Sequence, residues 1–186
     1  QRLATNGCFH LKNCRISEKN ILLGEGKLVE LRSKYMPGSK AEAAATVLGV
    51  GRAAYESAFD YAKNRKQGGK FIIEHQAISL MLAKMIMLLD GARLQIWKAA
   101  WLADNSHSDA RVQGLMAKVR ASEAAFKICT LATEILGGAG IMYDHPVEKY
   151  LRDAASFLHS DGTNQICSLR VTQALMSNNK SKIYGF

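Results

Sequence analysis

The stretch Leu131–Gln165, LATEILGGAGIMYDHPVEKYLRDAASFLHSDGTNQ, decides how the rest of the chain is read. It opens as the end of an apolar helix, breaks at Gly137-Gly138-Ala139-Gly140 and passes Pro146. It then carries Arg152-Asp153 on a short helical segment and turns again at Asp161-Gly162-Thr163. Glycines in such a run stop a helix and let the backbone come close to a ligand. Taken alone, an Asp before a Gly is a turn former.

Upstream of this stretch the periodicity is helical. An Ala-rich amphipathic pattern from about Lys40 to Lys66 carries Val47, Val50, Ala54, Ala58 and Ala62 at helical spacing. Lys66-Gln67-Gly68-Gly69-Lys70 breaks it. A second helix is expected from about Glu74 to Asp104 and a third from about Ser108 to Leu136, each roughly 40 Å long. A short helix from Val147 to Ala155 and a final one from Thr163 to Ser177 complete the set. Long helices without internal proline point to an all-α, four-helix up-and-down bundle. The Met and Leu residues of the second helix read as core packing. Residues 8–22 are β-leaning, with Phe9 and Leu11 alternating against polar neighbours, and Gly24, Gly26 and Pro37-Gly38 mark loop and turn. The expected organisation is a short β remnant over 1–25, a linker over 26–39 and a helical domain over 40–186.

The formal net charge is +9 over 186 residues. It favours phosphate-bearing partners. The basic residues are scattered without interleaved aromatics, so no nucleic-acid partner is expected, whereas dinucleotide or CoA phosphates suit the charge. Cys8, Cys14, Cys129 and Cys167 have no CxxC or Cys/His metal spacing, so no metal is expected and they read as reduced thiols. His75 has no HExxH partner and reads as a surface or capping residue. Lys84 and Asp90 interrupt the apolar run weighed as a membrane span, so none is expected. Gln1 stands in mid-pattern, and the chain is expected to be a C-terminal piece of a longer polypeptide.

Several stretches, in order along the chain, resemble the acyl-CoA dehydrogenase family. Residues 8–25 are similar to the last strand of its middle β-domain. GVGRAAYESAFDYAKNRKQGGK followed by EHQ is similar to its helix-turn-helix junction. EILGG with Pro146 and LRDA at 151–154, then DGT, is similar to its C-terminal signature. The resemblance implies a C-terminal helical domain, FAD bound between subunits, and α,β-dehydrogenation of an acyl-CoA thioester. Position by position it implies Arg65 at the FAD pyrophosphate, Gln76 at the flavin, and Glu134, Gly137 and Gly138 along the adenosine half. Thr163 and Gln165 would lie near the adenosine diphosphate. Glu134 stands where the family has Gln, and Gly68 where it commonly has Phe.

Asp161 takes the place of the family's catalytic Glu, one methylene shorter. The resemblance makes it the base, with the Gly162 N–H near the thioester carbonyl and Lys40 in substrate or CoA contact. Relatives that place the base on the first helix have their counterparts here in Ser39 and Lys40, neither a carboxylate, and Glu42 is out of register. An Asp base also occurs in relatives acting on alicyclic acyl-CoA and in nitroalkane oxidase, which GGKFIIEHQ and SDGTNQ resemble. A nitroalkane-oxidase-like enzyme is therefore the alternative, as is a non-catalytic helical oligomerisation module. The implied partners are acyl-CoA, an electron-transfer flavoprotein and further copies of the chain as a tetramer or dimer. The implied setting is bacterial cytoplasm or the mitochondrial matrix.

Overall fold

The computed structural model describes residues 7–177, without the side chains of 32–35, 37 and 177. Five helices carry the chain: α1 (Leu28–Asn64), α2 (Gln76–Asp104), α3 (Ala110–Leu136), α4 (Val147–Phe157) and α5 (Asn164–Ser177). A hairpin of β1 (Lys66–Gln67) and β2 (Lys70–Phe71) joins α1 to α2, paired Lys66 to Phe71 and Gln67 to Lys70. The outer ends of the expected 1–25 and 40–186 segments lie outside the described residues.

The first three helices run up, down and up, with α3 at the centre. It packs on α1 and α2 and receives α4 and α5. Small residues make the α1–α3 contact close. Ala44, Ala54, Ala58 and Ala62 of α1 and Ala121, Ala125 and Ala132 of α3 are all fully buried. At Gly51 a Cβ would stand 3.1 Å from the Ala125 Cα, so the helices meet there at backbone distance. Larger residues fill the layer towards α2, among them Met85, Leu89 and Ile128.

Three differences from the sequence reading have physical causes. First, α1 begins at Leu28 and continues through Pro37. The change of composition at Lys40 lies inside this helix, not at its start. Leu28 and Val29 are 69% and 78% exposed, whereas Lys40 and Ala41 are buried. Second, residues 7–27 contain no strand, only a 3-10 turn at Glu18–Asn20. The alternation at Phe9 and Leu11 finds no edge to pair with, and both side chains are exposed. Third, the helix apolar and long enough for a bilayer by length and composition is α3, continuing to Ile141, not α2. Its apolar sides are occupied by the other helices, the arrangement of a core helix.

Candidate active site

The turn between α4 and α5 is built from two consecutive left-handed residues, Asp161 at φ 55° and Gly162 at φ 89°. Asp and Gly are the residues that enter this region most readily. The Asn164 N–H donates to the Leu158 carbonyl at 3.0 Å and closes the loop. Thr163 caps α5, its Oγ1 accepting from the Ile166 N–H at 3.2 Å, as the sequence suggests.

Two lysines from other helices hold this turn from beneath. Lys40 of α1 is 6% exposed. Its Nζ donates to the Asp161 carbonyl and lies 3.8 Å from Oδ1 of the same residue. Lys118 of α3 is 1% exposed and donates to the Gly162 carbonyl and to Asn164 Oδ1, both at 2.8 Å. Ser122 Oγ shares its one proton between the same Asn164 Oδ1, at 3.1 Å, and the Val119 carbonyl, at 3.0 Å. The Asp161 side chain remains 52% exposed. The backbone of this turn is thus anchored while its carboxylate faces outward. Burial pushes the Lys118 pKa down, opposed by the neighbouring Cys167 and Asp161 and reinforced by Lys40.

Sequence reasoning missed Lys118, Ser122 and Asn164. One signal was present: Lys118 and Ser122 fall between Leu115 and Cys129 on the apolar face of α3, and a polar group on a core face is the informative kind of burial.

The other candidates gather elsewhere. Arg65 is the C-cap of α1 and Gln76 the first residue of α2, on either side of the hairpin. Gly68 and Gly69, at φ 62° and 81°, form its two-residue turn. His75 Nε2 donates to the Gln67 carbonyl at 2.9 Å and ties the hairpin to α2. Glu134, Gly137 and Gly138 lie at the C-terminal end of α3, all exposed. Gly137, at φ 59° and ψ −135°, adopts a conformation nearly confined to glycine. A Cβ at Gly140 would stand 2.7 Å from the Thr133 carbonyl. Gly138 has neither constraint: its φ is ordinary and a Cβ would meet nothing within 4 Å.

Because α1 and α3 run parallel, the residues divide into two groups. Arg65 and Gln76, with Glu134, Gly137 and Gly138, occupy one end of the bundle. Lys40 and Lys118 place the Asp161 turn far down the same helices, roughly 35 Å from Arg65 along α1 and roughly 25 Å from Glu134 along α3. A groove of about 800 Å³ between α2, α3 and α5 contains none of the residues singled out. Among the described residues no three His, Cys, Asp or Glu side chains form a metal-sized cluster.

The profile of the acyl-CoA dehydrogenase C-terminal domain matches residues 34–176. The chain is 35% identical over 180 residues to the short-chain specific acyl-CoA dehydrogenase, mitochondrial, of Sus scrofa, covering 97% of this chain and 44% of that protein. Among solved structures, butyryl-CoA dehydrogenase from Megasphaera elsdenii matches with a TM-score of 0.78 at 33% identity, over 81% of this chain and 39% of that one. A chain in the structure of the electron transferring flavoprotein of Acidaminococcus fermentans matches with a TM-score of 0.83 at 32% identity, over 89% and 43%. This chain therefore spans under half the length of the proteins it matches. Its helices, its glycine run and its LRDA and DGT segments place it in the acyl-CoA dehydrogenase family.

Proposed function

We propose that these helices serve a FAD-dependent enzyme that dehydrogenates an acyl-CoA thioester between its α and β carbons, with Asp161 as the base. The observation that carries this reading is the half-exposed Asp161 carboxylate on an anchored backbone. A base must reach the α-proton in a fixed direction, and an error of about 1 Å costs roughly 100-fold in rate. Asp161 accepts the α-proton, and the Gly162 N–H faces the thioester carbonyl. Lys40, already bound to the Asp161 carbonyl, acts on the substrate through that turn. FAD, when bound, supplies the two-electron acceptor for the β-hydrogen.

The two groups of residues suit two different flavin sites. Thr163 and Gln165 serve the flavin beside their own Asp161, while Arg65, Gln76, Glu134, Gly137 and Gly138 serve that of a neighbouring copy. The bare backbone at Gly138 supports this, since nothing among the described residues requires glycine there. The Arg65 guanidinium is the natural partner of a diphosphate. Self-association is further supported by Leu80, Met87, Leu94 and Trp101, which recur every seventh residue on α2 and are each more than half exposed. A dimer or tetramer covers this stripe.

The rest of the flavin and acyl pocket lies in the remainder of the whole enzyme, so the isolated 186-residue chain neither holds FAD tightly nor turns over acyl-CoA. Electrons leave to an electron-transfer flavoprotein, in bacterial cytoplasm or the mitochondrial matrix. The test is anaerobic titration of the full-length, FAD-loaded protein with straight-chain and alicyclic acyl-CoA thioesters. Bleaching of the oxidised flavin band that Asp161→Asn abolishes supports the assignment. Silence with every thioester, together with reduction by a small nitroalkane, moves it to the nitroalkane-oxidase type of chemistry.

A further inference from the structure

Lys118 is an expensive residue for its location. It is 1% exposed on a helix face otherwise made of apolar and small side chains. It reaches the first residue of α5, where the helix dipole favours an anion over a cation. Taking an ammonium out of water carries a desolvation penalty, seen in its lowered pKa, which two hydrogen bonds to neutral acceptors offset only in part. What the ammonium holds is more telling. The carbonyls of the two left-handed residues rest on two separate buried lysines, Gly162 on Lys118 and Asp161 on Lys40. Asn164 Oδ1, gripped by both Lys118 and Ser122, fixes the residue at which the turn becomes α5. A left-handed conformation at a residue with a Cβ persists where its surroundings over-determine it, and here three helices do so.

We propose that Lys118 is a positioning residue for the base: through the Gly162 carbonyl and Asn164 it sets the direction of the Asp161 carboxylate, with Lys40 as the second support. This rests on the reading of Asp161 as the base.

The experiment follows anaerobic flavin bleaching in the full-length, FAD-loaded protein by stopped flow, with Asp161→Asn and Lys118→Met side by side. Methionine matches the length of the lysine stem and removes both donated hydrogen bonds. The expected result for Lys118→Met is a first-order rate constant at saturating thioester between about 10- and 100-fold below wild type. The half-saturating concentration stays within a few-fold, and amide hydrogen exchange over residues 159–165 accelerates. A smaller folded fraction lowers the amplitude of bleaching and not its rate constant, so a merely structural role does not produce this pattern. A wild-type rate constant in Lys118→Met, with Asp161→Asn silent, overturns the positioning role and leaves the base in place. Wild-type bleaching in Asp161→Asn overturns both. If Lys118→Met yields no folded flavoprotein, Asn164→Ala decides by the same split: a slower rate constant at saturation supports the proposal, and an unchanged one refutes it.

Discussion

The hairpin between α1 and α2 and the turn between α4 and α5 both depend on two consecutive left-handed residues, Gly68-Gly69 and Asp161-Gly162. They are held by different means. The hairpin is stabilised locally, by its own strand pairing and by a hydrogen bond from His75 to a carbonyl eight residues away. The second turn is held by lysines 121 and 44 residues distant in sequence. The first draws these hydrogen bonds from residues close by in sequence. The second takes its shape from the assembled bundle, so the direction of its carboxylate is a property of the tertiary fold.

The largest test of this contrast is Asp161→Asn. Asparagine tolerates the left-handed conformation, so the turn persists while proton abstraction is lost, and flavin bleaching by thioester falls roughly 1000-fold. Next is a mixing experiment. Asp161→Asn and Arg65→Ala subunits, each inactive alone, are co-refolded. If every active centre joins the Asp161 turn of one copy to the hairpin end of another, random pairing restores about a quarter of wild-type bleaching amplitude. If both ends serve the same centre, nothing is restored.

A smaller effect compares the two turns directly. Gly69→Ala and Gly162→Ala each place a Cβ at positive φ, costing about 1–2 kcal/mol, read as a lowered denaturation midpoint. The space at Gly69 is open, and at Gly162 the nearest atom is the Cys167 Sγ at 3.6 Å. Similar stability losses are expected, with a slower bleaching rate at Gly162 alone.

The smallest effect is on pH dependence. The Lys118 pKa is depressed in the folded state, so between that value and the 10.5 of the free side chain the unfolded chain binds more protons. Stability therefore rises with pH across that window. Cys129 works in the opposite sense. Burial, helped by Asp153, raises its pKa from 9.0 to about 12, so its contribution is intact below 9.0 and is lost as pH climbs towards 12. Lys118→Met removes the rising limb and Cys129→Ala the falling one, both read from urea midpoints at stepped alkaline pH.

Most of the helical frame was legible in sequence because it is written in local periodicity. The expected bounds of the second, third and last helices lie within two residues of those found, and Thr163 caps the last as anticipated. The start of α1 was not legible, because Leu28 and Val29 are exposed and give no core-facing signal, and Pro37-Gly38 has the local appearance of a break. The strand expected near Phe9 failed for a related reason: a β-leaning segment becomes a strand only beside an edge. At the candidate site, the sequence indicated Asp161 and Gly162 but not what holds them. Lys118 lies 43 residues before Asp161 in the chain, and no local pattern links a lysine on one helix to a carbonyl on another turn. Lys40, expected in substrate or CoA contact, has its ammonium on the Asp161 carbonyl, a link no local pattern announces.

The alanine seam between α1 and α3 has a consequence for how such a protein drifts. A contact surface already reduced to methyl groups, with Gly51 against the Ala125 backbone, leaves almost no smaller side chain to substitute. Most changes there add volume where none is available, and overpacking costs about 1–3 kcal/mol each. Substitution along the seam is therefore restricted to side chains no larger than those already there. The axis of the bundle is thereby held to a nearly fixed composition by packing alone.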